Sequence, residues 1–186
     1  MKKPILRFTD IHKTAQQGNT VAQNNPGVMD ITGKGVPKDD AEAVKWYRKA
    51  AKQGDTDAMF NLGVMYHDGR AVPQDDVKAA KWYRKAAEQG NADAQFVLGM
   101  MYKESIGVPQ SEAEAVKWYF QAAQQGQADA MFNLGMMYHE GKGLAQDSAK
   151  AAKWYIKAAQ QGHADAQFNL GLMYYKGDGV RQNGLI

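Results

Sequence analysis

The stretch "AMFNLGVMYHDGRAVPQDDVKAAKWYRKAAEQG", residues 58–90, decides the fold. Ala58, Leu62, Met65 and Tyr66 fall at i, i+4, i+7 and i+8, one stripe of an α-helix. The loop "GRAVP" then carries the glycine and proline of a turn between antiparallel helices. Asp75 stands where a second helix needs an N-cap. Ala79, Ala80, Tyr83, Ala86 and Ala87 form that helix's apolar stripe, with Trp82 at its edge, and Gly90 closes it as a C′ residue. The spacing predicts helix A over about 56–68 and helix B over about 75–89. Alanines on the buried stripe let the two helices approach closely, and the aromatic rings fill the remaining space.

The same phrase recurs along the chain. Tryptophans stand at 46, 82, 118 and 154, each 36 residues from the last, opening "WYRKAAKQG", "WYRKAAEQG", "WYFQAAQQG" and "WYIKAAQQG". The phrases end on Gly54, Gly90, Gly126 and Gly162, and each leads into a new helix A such as "AQFVLGMMY" or "AMFNLGMMY". A fixed period of this length is the signature of a solenoid of stacked helix pairs. Asp39, Asp75, Ser111 and Asp147 are the helix B caps, and Glu42 and Glu114, three residues on, predict capping boxes. Gly63, Gly99, Gly135 and Gly171 recur inside helix A, where glycine costs about 1 kcal/mol. Their recurrence predicts a crossing too close for a side chain.

Helix A with Leu-Gly-x-x-Tyr, a "GxGV"-type loop, a capping Asp and then A-x-x-W-Y-x-x-A-A resembles the Sel-one-like repeat (SLR), a relative of the tetratricopeptide repeat. The resemblance covers about residues 19–182. It implies an all-α fold, an α/α superhelical solenoid of antiparallel helix pairs with a 36-residue period. It also implies a bacterial adaptor or scaffold acting through protein–protein interaction. Some relatives pin each repeat with a disulfide. This chain has no cysteine and matches that branch less well.

The first copy departs from the pattern. In "AQNNPGVMDITGKGVPKDD", residues 22–40, Asn24, Pro26 and Asp30 replace the Phe, Leu and Tyr positions, and Pro26 should break or kink a helix there. The preceding "LRFTDIHKTAQQG" aligns with a helix B but has Asp10 in place of tryptophan. Residues 1–38 are therefore expected to form an irregular arm and a degenerate first helix A, 39–182 the regular solenoid, and 183–186 a tail.

Composition narrows the function. With 23 basic and 20 acidic residues the net charge is +3, which demands no polyanionic partner. No apolar run approaches a membrane span, and "MKKPILRFTD" lacks the apolar region of a signal peptide. The sequence as given reads as cytoplasmic, or as periplasmic or secreted if a signal was removed. Neither nucleic-acid binding nor membrane insertion is expected. Helix B presents Lys45, Arg48, Lys49, Lys81, Arg84 and Lys85, a basic ridge that fades to Lys117 beside Phe120 and to Lys153, Ile156 and Lys157; it reads as a solvated face.

The candidate partner surface is the concave side lined by the A helices. It carries Phe60, Asn61, Val64 and His67; then Phe96, Met100 and Lys103; then Phe132, Asn133, Met136 and His139; then Phe168, Asn169, Leu172 and Tyr175. A row of phenylalanines with asparagines beside it suits an extended peptide or a partner helix, since an amide both donates and accepts. The competing expectation is that each Phe packs between neighbouring A helices.

No catalytic constellation emerges. His67 and His139 lie two repeats apart and cannot share one metal ion, and no cofactor or metal site is expected. A cell-wall or β-lactam hydrolase would use Ser-x-x-Lys, yet none of Ser105, Ser111 and Ser148 has lysine three residues on. The "GKG" pieces at 33–35 and 141–143 lack the phosphate-loop pattern. The leading expectation is thus a non-enzymatic scaffold binding a peptide or protein. A hydrolase, and a self-assembling protein that dimerises through its terminal repeats, are the alternatives.

Overall fold

The structure is a computed structural model, and it describes residues 39–180. Among these, eight helices of 13 residues follow one another: α1 Asp40–Lys52, α2 Thr56–Asp68, α3 Asp76–Glu88, α4 Ala92–Glu104, α5 Glu112–Gln124, α6 Ala128–Glu140, α7 Ser148–Gln160 and α8 Ala164–Lys176. Even-numbered helices are type A and odd-numbered ones type B. The expectations placed on Pro26 and on residues 1–38 and 183–186 lie outside the described residues. The chain divides into two compact units, one reaching Asn91 and the other starting at Ala92.

In the first unit α2 packs on both α1 and α3; in the second each helix from α4 to α8 packs on its sequence neighbours. Of the A helices, α2, α4 and α6 each engage the B helix that follows most extensively. The pairs are antiparallel: Gln89, at the end of α3, reaches Met59, at the start of α2. This is the expected solenoid of helix pairs. Its core is alanine and one large residue per turn, with Ala58, Leu62 and Met65 of α2 against Ala79, Tyr83 and Ala86 of α3, all buried. Tyr66, placed on the core stripe by the sequence, is only half-buried. Trp46 and Trp118 are buried, while Trp82 and Trp154 stay at the edge.

The helix ends explain why the period is so strict. Gly54, Gly90, Gly126 and Gly162 have φ of 87–93°. Around them the last turn of helix B closes as a Schellman motif: Gly54 N–H donates to the Ala51 carbonyl and Asp55 N–H to the Ala50 carbonyl. The residue that ends this motif starts the next helix. Asp55, Gln127 and His163 accept from the N–H groups of Ala58, Ala130 and Ala166 at 2.8, 2.8 and 3.2 Å. One residue thus closes one helix and caps the next, leaving no slack in the B-to-A turn.

The predicted capping boxes form only in half. Asp39 accepts from Glu42 N–H and Ser111 from Glu114 N–H, as expected. The glutamates do not complete the box but turn outward to Lys45 at 2.8 Å and Lys117 at 3.5 Å. The physical reason lies in helix A. The N–H of Asp75, Ser111 and Asp147, which a box would occupy, donates to the carbonyl of Tyr66, Tyr102 and Tyr138 at 2.9, 3.0 and 2.8 Å. That bond ties the start of helix B to the end of helix A.

Candidate interaction clefts on the A helices

The fifteen residues singled out in the sequence lie on α2, α4, α6 and α8, and none of them is fully buried. Three of the phenylalanines have a defined aromatic neighbour. Each lies over the tyrosine of the B helix in its own repeat: Phe60 on Tyr83, Phe96 on Tyr119 and Phe132 on Tyr155, with ring centroids 5.4, 5.9 and 5.8 Å apart. Phe132 also stacks on His163 at 4.6 Å. Phe168 on α8 is 67% exposed.

The histidines at equivalent positions have different surroundings. His67 Nδ1 lies 2.6 Å from Asp76 Oδ1 of the following helix. The equivalent of Asp76 one period pair on is Ser148, so His139 has no carboxylate there and faces Asp178 at 3.6 Å instead. His163 has its tautomer set by its neighbours: Nδ1 accepts from Ala166 N–H, and Nε2 lies 3.2 Å from Asp129.

In the second unit two clefts open between successive A helices. The first, of about 280 Å³, lies between α6 and α8 and is lined by Met136, His139, Glu140, Asn169, Leu172 and Lys176, with Tyr155 of α7 behind. The second, of about 250 Å³, lies between α4 and α6 and includes Lys103, Glu104, Met136 and Glu140. Met136 and Glu140 form the wall common to both. The structure therefore brings Met136, His139, Asn169 and Leu172 together, and sets Lys103 beside Met136. Phe60, Asn61, Val64 and His67 belong to the first unit and line neither cleft.

Five residues of the α6–α8 cleft escaped the sequence reading: Glu140, Tyr155, Met173, Lys176 and Asp178. Tyr155 is the equivalent of Tyr83, which the helix B stripe places in the core. It is buried, yet its ring still backs the cleft. Burial pushes its hydroxyl up to about 12, and a hydrogen bond with the Asn169 side chain opposes that rise. Asn133, the equivalent residue one repeat earlier, instead turns back onto the Asp129 carbonyl at 2.8 Å. The buried Tyr119 hydroxyl consequently finds no hydrogen-bond partner among the described residues.

On the opposite face, the lysines of the basic ridge cover tryptophans. Lys49, Lys85 and Lys157 lie 4.1, 4.5 and 4.3 Å from the ring centroids of Trp46, Trp82 and Trp154. Arg48 donates to the Tyr66 hydroxyl at 3.1 Å. Among the described residues no cluster of three or more His, Asp or Glu side chains is arranged to hold a metal ion. No described helix is long and apolar enough to cross a membrane.

Antiparallel helix pairs repeating every 36 residues, with clefts between their A helices, define a helical-repeat solenoid. The Sel1 repeat model matches residues 20–55, 56–91, 92–127, 128–163 and 164–185, and the chain belongs to that family. It is similar to c5321, a protective antigen present in uropathogenic Escherichia coli strains that displays an SLR fold. The identity is 40% and the TM-score 0.93, over 96% of this chain and 38% of c5321. The chain thus spans well under half of that relative's length. A Sel1 repeat protein from Oxalobacter formigenes is 36% identical, with a TM-score of 0.85 over 92% of this chain and 76% of the other. Cysteine-rich protein B of Helicobacter pylori is 25% identical, with a TM-score of 0.57 over 72% of this chain and 96% of the other. Among curated proteins none matches the chain.

Proposed function

We propose that the chain is a non-enzymatic interaction scaffold that holds an extended peptide segment of a partner protein against its A helices. The α6–α8 cleft is the anchor point. The observation that carries this reading is the composition of that cleft: Met136, Leu172 and the Tyr155 ring form an apolar seat, with His139, Glu140, Asn169 and Lys176 around it. An aliphatic or aromatic side chain fits such a seat, and the surrounding polar groups suit the backbone and charges of a peptide. The Asn169 side chain bonds with the Tyr155 hydroxyl, and an amide, which both donates and accepts, keeps further capacity for a peptide backbone. Phe96, Met100, Lys103, Phe132 and Asn133 extend the surface along the second unit; Phe60, Asn61, Val64 and His67 are the equivalent positions of the first. Membership of a repeat family associated with protein interaction supports the same reading.

The test is selection of binders from a displayed random peptide library, followed by calorimetric titration. Met136→Glu should weaken the selected peptides at least tenfold, and Lys81→Glu, on the opposite face, should leave them unchanged. A library that yields no binder, or binders indifferent to Met136→Glu, overturns the placement.

A further inference from the structure

Most of the described cations sit on B helices. α1 holds Lys45, Arg48, Lys49 and Lys52, α3 holds Lys78, Lys81, Arg84 and Lys85, and α7 holds Lys150, Lys153 and Lys157 with no acidic residue. The A helices α2 and α6 are the reverse: Asp57 and Asp68 on one, Asp129 and Glu140 on the other, with no lysine or arginine. A net charge of only +3 hides this division. Three of the acids on α1 and α3 are already engaged, Asp40 by Arg70, Glu42 by Lys45 and Asp76 by His67. Lys81, Lys85, Lys153 and Lys157 form no ion pair among the described residues.

Aromatic rings stand among these cations. On α3 a hollow of about 400 Å³ is bordered by the half-buried Trp82 and by Lys78, Lys81, Arg84 and Lys85, with Glu88 its one acid. Further repeats follow α3 in the chain, so this hollow belongs to an internal repeat. The equivalent residues of α7, Lys150, Lys153, Trp154 and Lys157, border a hollow of about 340 Å³. Phe120 of α5, 40% exposed, stands edge-on to Trp154 at 6.0 Å. A bound peptide would need acceptors for its backbone N–H groups. The α7 hollow has no side-chain acceptor and the α3 hollow only Glu88. Lysines around a tryptophan, with apolar stems and charged tips, instead match the membrane–water interface.

We propose that the B helices adsorb to an anionic lipid surface, with Trp82 and Trp154 at headgroup level and the lysines around them on lipid phosphates. The rings and the lysine stems place apolar surface at the headgroup boundary while the ammonium groups meet phosphate. Phe120 adds apolar contact beside Trp154. The division of charge orients each unit, with its B helices toward the lipid and its acidic A helices away from it. The clefts between A helices then stay open to solvent. Attachment is peripheral and electrostatic, so it is reversible and sensitive to salt. It does not rest on the peptide-binding reading.

The test is co-sedimentation of the full chain with phosphatidylcholine vesicles, with and without about 30% phosphatidylglycerol. The chain should bind the anionic vesicles alone, and raising the salt from about 0.05 to about 0.5 M should release it. Lys81→Glu with Lys153→Glu should weaken vesicle binding at least tenfold and leave thermal melting unchanged, because both side chains are exposed. Lys81→Arg with Lys153→Arg should bind as the wild type does. Phe120→Gln, which changes no charge, should weaken binding about threefold. Lipids brominated in the acyl chains should quench tryptophan emission, and Trp82→Phe with Trp154→Phe should remove most of that quenching, since Trp46 and Trp118 are buried. Three outcomes overturn the proposal: no binding to anionic vesicles, binding indifferent to Lys81→Glu with Lys153→Glu, or quenching that survives the two tryptophan replacements. A soluble acidic, tryptophan-bearing peptide that binds more tightly than the vesicles overturns it as well, and assigns the face to an acidic protein segment.

Discussion

A Cβ added at Gly63 would stand 2.5 Å from Cε1 of Tyr83, well inside van der Waals contact. Gly99 and Gly135 meet Tyr119 and Tyr155 in the same way at 2.7 Å. The tyrosine of each B helix is thus seated directly on the backbone of its A helix.

Gly135→Ala should destabilise the protein. The ring must move, which costs about 1–3 kcal/mol for overpacking, against a gain of about 1 kcal/mol in helix propensity. Gly171→Ala meets no described residue and should stabilise by about 0.5–1 kcal/mol. Urea melts of the two variants should give midpoints shifted in opposite directions. Equal shifts would show that the tyrosine does not depend on the missing Cβ.

Ala71 has a φ of 54°, in the left-handed region, where the other repeats have Gly107, Gly143 and Gly179. Left-handed geometry costs a non-glycine residue roughly 1–2 kcal/mol, and glycine loses about 0.4–1 kcal/mol through the entropy of the unfolded chain. Ala71→Gly should therefore stabilise by about 0.5–1 kcal/mol. A lowered urea midpoint would contradict that balance.

Tyr119 and Tyr155 occupy equivalent sites with different hydrogen bonding. Tyr155→Phe removes the bond to Asn169 and should cost about 1 kcal/mol. Tyr119→Phe removes a buried hydroxyl without a partner and should be neutral or slightly stabilising. Thermal melts of the two variants side by side would decide the matter, and equal losses would count against the distinction.

Stability should also fall at alkaline pH. Burial raises the Tyr155 hydroxyl from 10.0 to about 12 and raises Tyr83 and Tyr119 as well. Below pH 10 folded and unfolded chains both hold these protons, and stability is unaffected. Between pH 10 and about 12 the unfolded chain releases them and the folded chain does not, so stability declines as pH rises. Denaturant midpoints measured across that window should drop, and tyrosinate absorbance from these three residues should appear only with unfolding. A flat profile up to pH 12 would refute the assignment.

Much of the fold was legible because its rules are local. The stripes of Leu62 and Tyr83, the cap at Asp75 and the glycine at 90 act within a few residues, and their repetition made them readable. The recurring Gly63 even announced the close crossing, although it did not name the ring that fills it. The capping box at Ser111 was misread because its N–H is already bound to the Tyr102 carbonyl, nine residues back across a turn. The same pattern reading placed the phenylalanines on the A helices but did not reveal that Phe60, Phe96 and Phe132 lie against Tyr83, Tyr119 and Tyr155 of the B helices.

The sequence by itself determined the 36-residue helix pair, its ends and its core, since each follows from backbone hydrogen bonding and side-chain periodicity along one or two turns. Only the tertiary structure decided that Met136, Asn169 and Leu172 meet over Tyr155, and that His67 finds Asp76 while His139 faces Asp178. Those relationships join separate helices, and no local periodicity encodes a distance that packing sets.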